Sequence, residues 1–249
     1  MFYTDSHIHL HDCNPEIIKN VITNAKKNKV EAFVNVSSVP DDWHKVIEIA
    51  QKYSGVRAAI GVHPWCAENV FPHWDENLEK YLQKYPDLWV GECGIDRLKN
   101  PDTAIQKKVF LRQAELAKKY NRTLIVHAVK ANEQIEKLFA YLPQKTIFHS
   151  FTGSKEWGKQ IQSRGFYLGV NCTILNKKNA DELLKNIDLN LLLLETDFPY
   201  QGKNTVFENK PSYLPLLAEK IAQANNRDTE KVAEKLWQNW LNLVDEREK

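Results

Sequence analysis

The chain has 249 residues, 43% of them hydrophobic and 27% charged, with 34 Lys and Arg against 32 Asp and Glu for a formal net charge of +2. That composition can fill a sizeable core, which excludes a largely disordered protein; the balanced charge excludes one held on nucleic acid mainly by a global positive field, though not one with a local basic groove. The opening MFYTDSHIHL lacks the basic-then-apolar pattern of a signal peptide, the longest aliphatic run (Leu191 to Leu194) is too short to span a membrane, and Cys13, Cys66, Cys93 and Cys172 form no CxxC pair, so the expectation is a cytoplasmic protein with inert thiols.

In chain order, short apolar runs alternate with segments of helical period. The runs that read as strands are 2–9, 32–37, 57–62, 88–93, 123–127, 146–149, 166–170 and 191–195. Asn14-Pro15 is a cap followed by an N1 proline, and Ile17, Ile18, Val21, Ile22 and Ala25 then share one face. Pro40-Asp41 opens a helix with Trp43, Val46, Ile47 and Ala50 inward. Ile135, Leu138, Phe139 and Leu142 repeat the pattern, as do Ala180, Leu183, Leu184 and Ile187. Gly165 ends a helix before the Phe166 strand. The tail from Pro211 to Lys249 reads as two helices, the last packing through Val232, Leu236, Trp237 and Trp240.

Eight strands in strict alternation with helices predict a parallel sheet, and the continuous apolar runs are those of strands buried on both faces. About 250 residues is the usual size of a closed TIM-type (β/α)8 barrel, so 1–249 is read as a single barrel domain. An open doubly-wound sheet is the runner-up. No Gly-rich phosphate loop follows any of the strands, which weakens it.

Polar residues collect at the C-terminal ends of these strands, the catalytic face of such a barrel. His7 and His9 alternate onto one side of their strand, with Asp5 on the same side, and two imidazoles together are ready ligands for a transition metal. His11 reads as an ordinary loop residue. Glu92 lies in an apolar strand flanked by Gly91 and Gly94, where a carboxylate needs an ion or a partner. The bland alternative pairs it with Arg97 or Arg112. His127 and His149 each end a strand. Asp197 follows the final strand, with Glu195 sharing its side. His63, in Gly-Val-His-Pro, is either a substrate contact or a turn residue. These residues divide into His7, His9, Glu92 and Asp197 for one divalent ion and Glu92, His127 and His149 for a second. Two such ions about 3.5–4 Å apart activate water and clamp an in-line displacement. Asp197, with a second oxygen to spare, is the candidate general base.

The motifs Asp5-Ser6-His7-Ile8-His9-Leu10, Gly61-Val62-His63-Pro64, Gly91-Glu92-Cys93-Gly94-Ile95-Asp96, the helix bearing Gln106, Phe110 and Gln113, His127, His149-Ser150-Phe151-Thr152-Gly153 and Leu194-Glu195-Thr196-Asp197-Phe198-Pro199 span residues 5 to 199 in order. Together they make the chain similar to the TatD family of metal-dependent hydrolases, within the amidohydrolase-like barrels. The resemblance implies a (β/α)8-type barrel, divalent metals held by the same six residues (His7, His9, Glu92, His127, His149 and Asp197) and deoxyribonuclease activity, here expected as 3'-to-5' exonuclease action. The chain departs from the family where His-x-Arg usually stands: His127-Ala128-Val129 is followed by Lys130, which restores charge without bidentate geometry. Arg97-Leu98-Lys99 stands where aromatic residues are common.

The leading expectation is therefore hydrolysis of DNA phosphodiesters at single-stranded or 3' ends. Trp65 and Phe151 are placed to stack on bases, and Arg97, Lys99, Lys130 and Lys155 to meet phosphates. The metals are drawn from Zn, Mn, Mg, Co and Ni, with four histidines favouring the transition ions. The alternatives are an amide or ester hydrolase of the amidohydrolase type and a non-catalytic, metal-stabilised module in a larger complex; a full set of six ligands argues against the latter.

Overall fold

Eight strands alternate with helices in a computed structural model that describes residues 1–99, 102–201 and 209–244. The elements are β1 (Tyr3–Ile8), α1 (Pro15–Lys27), β2 (Val30–Val36), α2 (Trp43–Lys52), β3 (Val56–Ile60), α3 (Trp74–Lys84), β4 (Trp89–Asp96), α4 (Thr103–Lys119), β5 (Leu124–Val129) and α5 (Asn132–Glu136). They continue with β6 (Thr146–Phe148), α6 (Lys155–Gln162), β7 (Tyr167–Val170), α7 (Ala180–Asn186), β8 (Leu192–Leu194), α8 (Leu214–Ala224) and α9 (Thr229–Leu243). The strands lie in one sheet in the order β1 to β8, and β8 neighbours β1, the strand order of a (β/α)8 barrel. Every predicted strand is present, within a few residues at its ends.

By density of contacts the chain falls into two compact units, residues 1–34 with 150–249, and residues 35–149. In the first, β1 is tied to the segment after β8: the Asp197 N–H donates to the His7 carbonyl at 2.8 Å and the His9 N–H to the Phe198 carbonyl at 2.7 Å. Helices α8 and α9 pack on these strands through Leu217, Ile221, Ala233, Leu236 and Trp240, all buried. Trp237, expected on that face, is half-buried and meets the Phe2 ring edge-on. The last residues of the tail, 245–249, lie outside the described residues. Asn14 caps α1 as predicted, its side chain accepting from the Ile17 N–H. Ile17 itself is exposed, because the buried face of α1 is the narrower stripe Ile18, Ile22 and Ala25.

In the second unit β3, β4, β5 and β6 pair in parallel around Ile60, Val90, Leu124 and Phe148, covered by Trp43, Leu78, Phe110 and Leu116 from the helices. The segment from Ile135 to Leu142 is less regular than its period predicts. A five-residue α5 gives way to a 3-10 turn at Phe139–Tyr141, although Ile135, Leu138, Phe139 and Leu142 are all buried. Burial, not continuous helix, produces that spacing.

Candidate metal centre

The first unit assembles one cluster from β1 and the turn after β8. His7 lies in β1 and His9 just beyond its end, where the chain turns into the Leu10–Asp12 3-10 turn, and their Nε2 atoms come to 3.1 Å of each other. Asp197 Oδ1 lies 3.1 Å from His9 Nε2 and 3.5 Å from His7 Nε2. Asp197 adopts φ 62°, a turn conformation that takes it out of β8's alternation. Its other oxygen, Oδ2, accepts a 2.6 Å hydrogen bond from the Gln201 amide. Gln201 also donates to Ser150 Oγ, which takes a further bond from Asn171. None of these three was legible from local pattern.

Asp5 is not in the cluster. Its carboxylate straps β1 to the β8 exit, accepting from the Thr196 hydroxyl at 2.6 Å, the Thr196 N–H at 3.0 Å and the His7 N–H at 3.3 Å. Complete burial pushes its pKa up to about 8, against those three bonds. Glu195 is buried too, in space that Gly169 leaves open, and accepts the Ser150 N–H. His11, expected as a loop residue, is almost fully buried, its ring 5.7 Å from that of His9.

The second unit assembles the other cluster from Glu92 in β4, His127 in β5, and His63 and His149 just past β3 and β6. The β4–β5 register shifts between Val90 and Cys93, and the Glu92 N–H is turned to the Ser37 carbonyl. Such an irregularity re-aims a side chain. Gly91 and Gly94 flank it at φ 145° and 146°, and a Cβ on either would collide with β5. Glu92 Oε1 thereby comes within 2.6 Å of His149 Nε2 and 2.7 Å of His127 Nδ1, which are 3.2 Å from each other. Neither arginine contests Glu92: Arg112 pairs with Asp75 and Glu115, and Arg97 reaches the Lys130 carbonyl.

Asp96 orients this cluster from behind. Its Oδ2 lies 3.2 Å from His127 Nε2 and accepts the Trp65 indole N–H at 2.7 Å, while Oδ1 accepts the Leu98 N–H at 2.8 Å. Burial works to raise the Asp96 pKa, yet the bonds to His127, Trp65 and Leu98 outweigh it and bring the group down to about 2. For His127 burial lowers the pKa, and the Asp96 and Glu92 carboxylates more than reverse this. His63 is pushed down, chiefly by burial. Two buried glutamines of α4 fix the backbone here. Gln106 bonds both the N–H and the carbonyl of Asp96, and Gln113 does the same for Val62. Each amide replaces the strand partner that its backbone groups lack.

The donor sets fit divalent cations. In each cluster imidazole nitrogens and a carboxylate oxygen converge at separations that require shared protons unless a cation takes their place. His7, His9 and Asp197 satisfy this in one unit, and Glu92, His127 and His149 in the other.

The outlying candidates fare differently. Trp65 is 48% exposed, and Lys99 Nζ sits 5.1 Å over its ring. Arg97 and Lys130 are exposed. Phe151 is not available for stacking: it is 5% exposed, its ring packed where Cβ atoms on Gly153 and Gly158 would touch it. Its aromatic character serves the core of the first unit. Lys155 is spent on a surface ion pair, 2.7 Å from Glu182. Cys93 and Cys172 are buried and Cys13 and Cys66 half-buried, and no helix among the described residues is long and apolar enough to cross a membrane.

Histidines and carboxylates at the strand ends of a (β/α)8 barrel define the class of metal-dependent hydrolases. Within it, residues 4–245 match the model of the TatD related DNase family, and the chain belongs to that family. It is 31% identical to the metal-dependent hydrolase YabD of Bacillus subtilis, covering 94% of each chain. It is 28% identical to the 3'-5' ssDNA/RNA exonuclease TatD of Escherichia fergusonii, over 84% of this chain and 85% of that one. The crystal structure of the TatD homolog YjjV from Escherichia coli superposes with a TM-score of 0.88 at 23% identity, covering 97% of both chains, which shows the same fold.

Proposed function

We propose that the chain is a divalent-metal-dependent deoxyribonuclease, working as one catalytic domain in the cytoplasm and removing nucleotides from the 3' ends of single-stranded DNA. The observation that carries this reading is the convergence of Glu92 Oε1 on His127 and His149 at 2.6–2.7 Å, in a chain that also sets His7, His9 and Asp197 together. Two ions would be held, one by His7, His9 and Asp197 and one by Glu92, His127 and His149. Bound there, they lower the pKa of water and neutralise charge on a phosphoryl group. The protein's own groups do the rest. Asp197, its Oδ2 steadied by Gln201, is oriented to accept a proton from the attacking water. Asp96 holds the His127 ring so that Nδ1 faces Glu92. Trp65, with Lys99 beside it and Arg97 and Lys130 exposed, offers a base-stacking surface edged with positive charge. The nuclease names of relatives such as the Escherichia fergusonii enzyme support this substrate class.

Incubation with 5'- and 3'-end-labelled oligonucleotides under Mg, Mn, Co, Ni and Zn tests the reading. A ladder shortening from the 3' end, abolished by Asp197→Asn, is expected. Hydrolysis of amides or carboxylic esters with no phosphodiester cleavage under any of these ions would transfer the site to carbonyl chemistry.

A further inference from the structure

His63 is the one histidine near Glu92 that the six-ligand set leaves out, and the fold has already committed one of its nitrogens. The backbone around it is clamped on every side. The Gly61 carbonyl accepts the Trp43 indole N–H at 2.9 Å, and the Gly61 N–H donates to Ser37 Oγ at 3.0 Å. Gln113 bonds both backbone groups of Val62 at 2.8 and 3.1 Å, and the His63 N–H donates to the Ser38 carbonyl at 2.8 Å. Pro64 then starts a 3-10 turn that His63 caps: its Nδ1 accepts the Trp65 backbone N–H at 3.2 Å. An accepting Nδ1 carries no hydrogen, so the ring hydrogen sits on Nε2.

That Nε2 is aimed at the cluster. It lies 3.5 Å from Glu92 Oε1 and 3.4 Å from His127 Nδ1, both beyond the length of a good hydrogen bond. The ring is held between Trp65 and His127, with centroids at 4.8 and 4.6 Å, and is 7% exposed. A nitrogen that carries hydrogen has no in-plane lone pair for a cation. It does have a directed N–H, fixed before substrate arrives, which is the property that makes a donor useful where charge develops.

We propose that His63 is a hydrogen-bond donor to substrate and not a metal ligand: its Nε2–H bonds a non-bridging oxygen of the phosphoryl group bound at Glu92, His127 and His149. No proton leaves the ring. This assignment rests on the phosphodiester reading above for its substrate, but its chemistry is anion recognition and can be measured without cleavage.

Two variants test it in the full chain, His63→Phe, which keeps a ring without a donor, and His63→Gln, which keeps an N–H and covers the case in which the first folds poorly. Three results are expected. Calorimetric affinity for Mn²⁺ stays within about threefold of wild type in both variants, whereas loss of a true ligand costs far more. Binding of inorganic phosphate to the Mn²⁺-loaded protein weakens about tenfold in His63→Phe and less in His63→Gln. On an oligonucleotide, kcat falls about 100-fold in His63→Phe with KM little changed, and His63→Gln recovers part of it. Nitrogen NMR of the Zn²⁺-loaded protein shows the hydrogen still on Nε2. A loss of Mn²⁺ affinity in parallel with activity would overturn the proposal by making His63 a ligand. Unchanged phosphate binding in both variants would overturn it by making the ring structural. If wild-type protein cleaves no phosphodiester, the nuclease reading fails separately, while the Mn²⁺ and phosphate measurements still decide the role of His63.

Discussion

The two candidate ion clusters are built in opposite ways. His7 comes from β1 and His9 from the residue just past its end, where the backbone leaves the strand, and Asp197 comes from the turn after β8, so one short stretch of chain pairs the two imidazoles. Glu92 and His127 come from within β4 and β5, and His149 from just past the end of β6. They meet only because β4 shifts register between two glycines and because Asp96 holds the far side of His127. The first cluster needs Asp197 in a left-handed turn at φ 62°, and its support acts on the carboxylate, through Gln201. The second depends on an irregular strand and its support acts on a histidine. Supporting groups of this kind tune ligand orientation and basicity. The contrast teaches that one site type can be gathered from one stretch of chain and a single turn or from three separate strands, and that the second has more elements whose placement must agree.

Removing ligands should produce the largest effects and test the division directly. Glu92→Gln and Asp197→Asn should each lower oligonucleotide cleavage on the order of 10³-fold or more, read by single-turnover kinetics. Bound metal, counted by mass spectrometry after desalting, should fall in a His7→Ala/His9→Ala protein while the Glu92 cluster keeps its share, and the reverse should hold in Glu92→Gln. Equal losses from both changes would erase the distinction between the clusters.

Asp96→Asn should come next, weakening one metal site about 10–100-fold and leaving the other at wild-type affinity. Equal weakening of both sites in a calorimetric titration would show that Asp96 is not specific to His127. Gln201→Ala should be milder, at about the lower end of that range, and should appear in kcat more than in metal content. The smallest effect concerns pH. The folded pKa of Asp96 is held down at about 2, so its contribution to stability is present above the unfolded carboxylate value near 4 and is lost as pH falls through 2. In the metal-free protein Asp96→Asn should therefore cost at most about 2 kcal/mol at pH 5, and the gap to wild type should close in denaturant melts taken toward pH 2.

Much of this organisation is legible in the linear chain. Buried parallel strands are nearly continuous apolar runs, and the eight of them fall where β1 to β8 do. The cap at Asn14 and the helix stop at Gly165 obey local backbone rules. His7 and His9 pair because neighbouring positions of one short stretch of chain suffice. Glu92 is visible as a charge in an apolar run, which marks it as needing a partner without naming one.

What only the tertiary structure decided is who faces whom. Phe151 reads as a stacking surface because it adjoins a motif, and its ring fills the core beside Gly158. Lys155 reads as a phosphate contact and is paired with Glu182. His11 reads as loop and is buried. Asp96, Gln113, Gln201 and the committed Nδ1 of His63 owe their roles to partners tens of residues away or to a backbone turn, and neither distance nor turn geometry has a period in sequence. Sequence by itself determined the barrel and marked the candidate ligands it carries, because ligand chemistry and strand burial are properties of residue type and local spacing. Which ring nitrogen faces the cluster was decided by Asp96 for His127 and by the turn at Pro64 for His63, because a hydrogen bond to one ring nitrogen sets the state of the other.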